Sequence, residues 1–139
     1  IGPFRGYRPG YSSDFATKRN YLSWSVLKAH TLNNAGTVRL RSADPRDTPL
    51  IDFHYFDEGT DTDGDDLKSM VYGVKFVRRL TKRLLSDRVI AEEEWPGEHV
   101  QSDAEIADYV KSEAWGHHAS GTCAIGSVVP SPVRTMKTP

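Results

Sequence analysis

The densest set of groups able to do chemistry is the segment Trp115-Gly116-His117-His118-Ala119-Ser120-Gly121-Thr122-Cys123-Ala124-Ile125-Gly126. An imidazole whose pKa lies near neutrality is the natural base for taking a proton from an alcohol hydroxyl. Small residues directly after His118 would let a flat ligand approach the backbone closely. The same residues also describe a loop carrying a surface or hydrogen-bonded structural histidine, and at this point both readings stand.

Other constellations are weaker. Cys123 is the only cysteine, so an intramolecular disulfide is excluded. Nothing in the sequence lowers its pKa or sets it beside an imidazole, and it reads as a small buried apolar residue. A zinc set of His117, His118 and Cys123 with His99 lacks the usual ligand spacing, and no metal is expected. Gly116-x4-Gly121-Thr122 has the spacing of a phosphate loop without its lysine. Asp61-x-Asp63-x-Asp65 imitates the start of a calcium loop. Asp66 and Tyr72 stand where that loop needs Gly and Glu, so the acidic run reads as the start of a helix.

The elements that would position the histidines follow from periodicity. Residues 21–32 alternate (Leu22, Trp24 and Val26 against Tyr21, Ser23 and Ser25), as do residues 37–41. With turn chemistry at residues 33–36 between them, the two predict a hairpin. A loop over residues 42–49 and extended chain from Leu50 to Tyr55 come next. Leu67, Met70, Val71, Val74, Val77, Leu80 and Leu84 then recur at helical spacing behind the acidic run. A short strand is expected at residues 88–92 and a turn at Pro96-Gly97. Ser102-Asp103-Ala104-Glu105 is a capping box opening a second helix that fades near Ala114. Residues 1–20 read as a looped connection and residues 127–139 as a loose tail.

Composition narrows the function classes. The chain has 139 residues, enough for one domain, with 37% hydrophobic residues and a formal net charge of −1. No global field would draw in nucleic acid or an anionic membrane, and no run of about 18 apolar residues could span a bilayer. Neither partner is expected; the protein should be soluble, and its compartment is unreadable. The chain opens on Ile1 rather than Met, which fits a processed product or a piece of something longer.

Two blocks resemble one family. His118-x-x-Gly121-Thr122-Cys123-x-x-Gly126 is similar to the H-x-x-G-T-C-x-x-G signature of glucose-methanol-choline (GMC) oxidoreductases. The stretch Gly36 to Asp52, GTVRLRSADPRDTPLID, resembles that family's block ahead of a long helix, and Asp65-Asp66-Leu67 with Arg78-Arg79-Leu80 follows in the expected order. The resemblance covers about residues 20–126, and residues 127–139 depart from it. It implies an α+β fold, an antiparallel sheet flanked by helices, forming the substrate domain over residues 21–126. It further implies oxidation of an alcohol CH–OH group with hydride transfer to flavin N5, His118 being the base and His117, Gly121 and Thr122 its neighbours.

A dinucleotide fingerprint, G-x-G-x-x-G between strand and helix, occurs nowhere in the chain. FAD is therefore expected in the intact enzyme but not on this chain alone, which would need an FAD-binding domain, on this polypeptide or another, to turn over a small-molecule alcohol. An apolar face meant for that domain would promote self-association if left bare. Two competing readings are a non-catalytic interaction module that keeps the sheet and a metal-dependent hydrolase using the histidine pair. Flavin capture, folding without it, or stoichiometric zinc would separate the three.

Overall fold

The computed structural model describes residues 2–6 and 10–116. In chain order these form helix α1 (Tyr11–Thr17), strands β1 (Thr37–Arg39) and β2 (Leu50–Asp52), and helices α2 (Asp65–Ser86) and α3 (Asp103–Glu113). β1 and β2 pair antiparallel with Thr37 opposite Asp52, Val38 opposite Ile51 and Arg39 opposite Leu50. The architecture is the expected α+β one, an antiparallel sheet with helices.

α2 is built as its periodicity requires. Val71 turns inward with Leu67, Met70 and Val74, and meets Ile106 and Val110 of α3, with Val100 and Phe56 closing the cluster. Ile106 is completely buried. Asp61 closes the start of α2, its two carboxylate oxygens accepting the N–H groups of Asp65 (2.9 Å) and Asp66 (2.8 Å). At α3 the capping box forms as the sequence predicts: Ser102 Oγ accepts from the Glu105 N–H, and the Glu105 carboxylate accepts from the Ser102 N–H at 2.8 Å. α3 ends at Ala114, whose N–H reaches the Val110 carbonyl.

Three expectations are corrected. Residues 21–32 do not pair with β1; only Ser23 forms a bridge, with Gly2. The reason is competition for donors. The Leu32 and Asn33 N–H groups bond to the Asp66 carboxylate at 2.9 to 3.0 Å, and the Asn33 side chain donates to the His54 carbonyl while accepting from the Thr60 N–H. The supposed hairpin turn is thereby fastened to the start of α2, and β1 pairs forward with β2 instead.

The strand expected at residues 88–92 is absent because its donors fold back on α2. The N–H groups of Arg88, Val89 and Ile90 reach the carbonyls of Leu85 and Leu84, which the helix end leaves unsatisfied. Inside the stretch read as a loop, residues 11–17 form α1, two turns that bury no residue and start at Gly10 without a capping side chain, so neither a sustained period nor a cap announces them. Arg5 holds this region to the body, pairing with Glu94 and with Asp14 (3.2 Å) and lying over the Tyr21 and Trp95 rings.

Further on, Arg78 grips Glu93 through two guanidinium nitrogens and donates to the carbonyls of Val100 (2.7 Å) and Gly97 (3.2 Å). This fastens the turn over residues 94–99 to α2. That turn contains the expected Pro96-Gly97, with a cis Trp95-Pro96 bond. No helix among the described residues is long and apolar enough to cross a membrane.

Candidate functional site

The sequence-predicted site residues His117, His118, Gly121 and Thr122, together with Cys123, lie outside the described residues, as does the tail over residues 127–139. What the structure places is the stalk that leads to them. α3 delivers the chain through Ala114 and Trp115 to Gly116, where a Cβ would stand 3.0 Å from the Tyr55 hydroxyl. Tyr55 stacks on Phe53 with ring centroids 5.0 Å apart and planes 4° from parallel. Its other neighbour, Phe56, at 6.0 Å, packs against the α2–α3 cluster. A continuous line of aromatic packing thus joins the core to the backbone two residues before His118. Burial pushes the Tyr55 phenol above its ordinary pKa, so it stays protonated through the neutral range.

Beside this stalk lies a histidine that the sequence reading passed over. His54, at φ 43°, stands between Asp52 at 3.0 Å on one ring nitrogen and Asp57 at 3.5 Å and Glu58 at 3.9 Å on the other. Partial burial disfavours its charged form, but Asp57, Asp52 and Glu58 outweigh that and raise its pKa. The only signal in the sequence was the cluster of acidic residues around it, which reads equally well as solvated loop.

The family-like block at residues 36–52 proves to be architecture. Between β1 and β2, Ser42 Oγ accepts the Asp44 N–H and donates to Asp47, while Asp44 accepts the Arg46 backbone N–H and its guanidinium at 2.6 to 3.0 Å. The Arg46 guanidinium holds the Asp44 carboxyl below its usual range. Arg41 Nε closes the loop on the Thr48 carbonyl at 3.0 Å. These polar residues specify a turn, which explains why their order matters without any reaction.

None of the acidic clusters among the described residues gathers a metal site. Asp61 spends both oxygens on α2, and Asp65 pairs with Lys68 at 3.0 Å. A shallow cleft of about 330 Å³ lies between α2 and the following turn, lined by Arg78, Arg79, Lys82, Glu93 and Glu98 among others, and does not include Tyr55 or Gly116.

The family model for GMC oxidoreductase matches residues 33–139, which takes in the β1–β2 turn, both long helices and the histidine-bearing segment together. The chain belongs to the GMC oxidoreductase family. Curated relatives agree: choline oxidase of Arthrobacter globiformis is 35% identical over 115 residues, covering 82% of this chain and 20% of that protein. Glucose methanol choline oxidoreductase atC of Aspergillus terreus is 32% identical over 120 residues, covering 86% and 18% respectively. Mitochondrial choline dehydrogenase of Mus musculus is 37% identical over 98 residues, covering 67% and 15%. This GMC chain spans about a fifth of the length of the curated relatives it matches. No solved structure gave a significant match.

Proposed function

We propose that this chain is the substrate-side part of an FAD-dependent enzyme that oxidises the CH–OH group of a small-molecule alcohol, with His118 as the base that accepts the hydroxyl proton. The observation that carries the reading is the segment His118-x-x-Gly121-Thr122-Cys123-x-x-Gly126 inside a family match over residues 33–139. Gly121 and Thr122 keep the backbone after His118 small and polar, and His117 is its neighbour in the same segment.

The described residues do not fit the cofactor's pyrophosphate. A helix N-terminus is the usual anion cradle, yet α2 is closed by the Asp61 carboxylate and α3 by Glu105 and Ser102. FAD, which supplies the hydride acceptor when bound, is on this reading held by residues beyond these. A domain carrying the glycine-rich fingerprint is thus the partner required, and the chain alone would not turn over.

The contribution of this chain is proton acceptance at His118, which must be neutral before the reaction begins. The test is anaerobic addition of a panel of primary alcohols, choline included, to the full-length protein while following its absorbance. Bleaching of a flavin band by an alcohol supports the reading. A colourless protein, or a flavin that no alcohol reduces while dithionite does, overturns it.

A further inference from the structure

We infer that the outward face of α2 is a docking surface for an acidic segment of a partner protein, one that carries apolar side chains between its carboxylates. From Leu67 to Ser86 the helix holds Lys68, Lys75, Arg78, Arg79, Lys82 and Arg83 and no acidic residue, although the whole chain has a net charge of −1. Most of these cations are already neutralised: Lys68 by Asp65 (3.0 Å), Lys75 by Asp103 (2.7 Å), Arg78 by Glu93 and Arg83 by Asp87 (3.2 Å). Arg79 and Lys82 meet no carboxylate among the described residues, and both line the cleft between α2 and the following turn. Of the acids lining the same cleft, Glu93 is held by Arg78, so the two cations face one free carboxylate, Glu98. The charge left over is positive.

An apolar ridge runs beside those two cations. Tyr72, Phe76 and Leu80, spaced four apart on the side of α2 turned away from Val71, remain 61%, 44% and 48% exposed. A surface helix ordinarily keeps such residues for its buried face. The Tyr72 and Phe76 rings lie 6.4 Å apart, and the Arg79 guanidinium stands over both, at 5.3 and 5.5 Å. This stacking sets two rings and a cation in place before a partner arrives, which lowers the ordering cost of binding. Exposed Tyr and Arg side chains held in this way are the residue types that dominate binding energy at protein interfaces.

Charge selects the occupant. A two-fold axis through the ridge would set Arg79 and Lys82 against their own symmetry mates, which disfavours a second copy. A bilayer fits less well too, since each basic side chain near an anionic surface contributes about 1 kcal/mol and only Arg79 and Lys82 are free to do so. An extended acidic segment uses both features, its carboxylates reaching Arg79 and Lys82 and an apolar side chain covering Tyr72, Phe76 and Leu80.

The experiment is fluorescence anisotropy of the full-length protein with a fluorescein-labelled peptide of alternating Glu, Leu and Phe. Saturable binding is expected, weakened at least about 10-fold by Phe76→Ser, by Arg79→Glu combined with Lys82→Glu, and by replacing every Glu of the peptide with Gln. These side chains are exposed, so the thermal midpoint should move little. Absence of binding, binding that the variants leave unchanged, or equal binding of the Gln peptide overturns the inference. Sedimentation velocity and flotation with phosphatidylcholine–phosphatidylserine vesicles are run alongside. A dimer that Phe76→Ser dissociates, or flotation that Arg79→Glu with Lys82→Glu abolishes, would assign the face to a second copy or to a bilayer and overturn it equally. Flavin reduction by alcohol should be the same in these variants as in the parent, so failure of the docking surface and failure of the proposed reaction are read separately.

Discussion

Asp66, only 1% exposed, holds Lys28 at 3.1 Å while its two oxygens accept the backbone N–H groups of Leu32 and Asn33. One carboxylate at the start of α2 therefore fixes the chain just ahead of β1, across a sequence separation of 33 to 34 residues. Burial works against its charge, but the two N–H groups and Lys28 outweigh it and hold the carboxyl below its ordinary pKa.

Removing that anchor should be costly. Asp66→Ala leaves Lys28 and two N–H groups without their acceptor, and a loss of about 3 kcal/mol is expected in urea unfolding. Because the folded pKa is depressed, the stabilisation is complete above the ordinary carboxyl value of about 3.9 and is lost as pH falls through the lower folded value. The gap between the parent and Asp66→Asn should accordingly narrow in acid; a constant gap down to pH 2 would contradict the assignment.

His54 behaves with the opposite sign. Its raised pKa means that its ion pairs are fully present below the ordinary value of about 6.5 and are lost as pH rises through the folded value. An imidazole titration by NMR should place its midpoint above that of an exposed histidine, and Asp57→Asn or Asp52→Asn should lower it. A midpoint that neither substitution moves would show that the carboxylates do not act on the ring.

The capping box of α3 gives a smaller effect, on the helix that leads to Gly116. Ser102→Ala should cost about 1 kcal/mol in chemical unfolding, and Ser102→Asp should largely restore it. Equal stability of Ser102→Ala and the parent would mean that the start of α3 is held by its packing alone.

These contacts also show what the sequence discloses. α2 and α3 were readable because a period of 3.6 and a capping box are local signals, written within one or two turns. The pairing of β1 was not, since residues 37–41 have an alternating neighbour on either side and the choice is made by Asp66, whose type alone suggests only a complement to the helix dipole. His54 and Tyr55 were overlooked for a similar reason. Both lie in a short run that reads as strand, and their significance comes from Asp57, Phe53 and Gly116, which the fold brings to them. The segment around His118 is legible as a family motif because small residues at fixed offsets after a histidine are themselves the signal, and it falls within the family match over residues 33–139.

The most direct test of the account is the rate of flavin reduction by alcohol in the full-length protein as a function of pH, measured for the parent and for His118→Ala. The parent should lose rate as pH falls below the imidazole pKa, and His118→Ala should be slower by about 100- to 10,000-fold at neutral pH, with that inflection gone. A His118→Ala protein that keeps the parent's rate, or a slow one that keeps the parent's inflection, would contradict it.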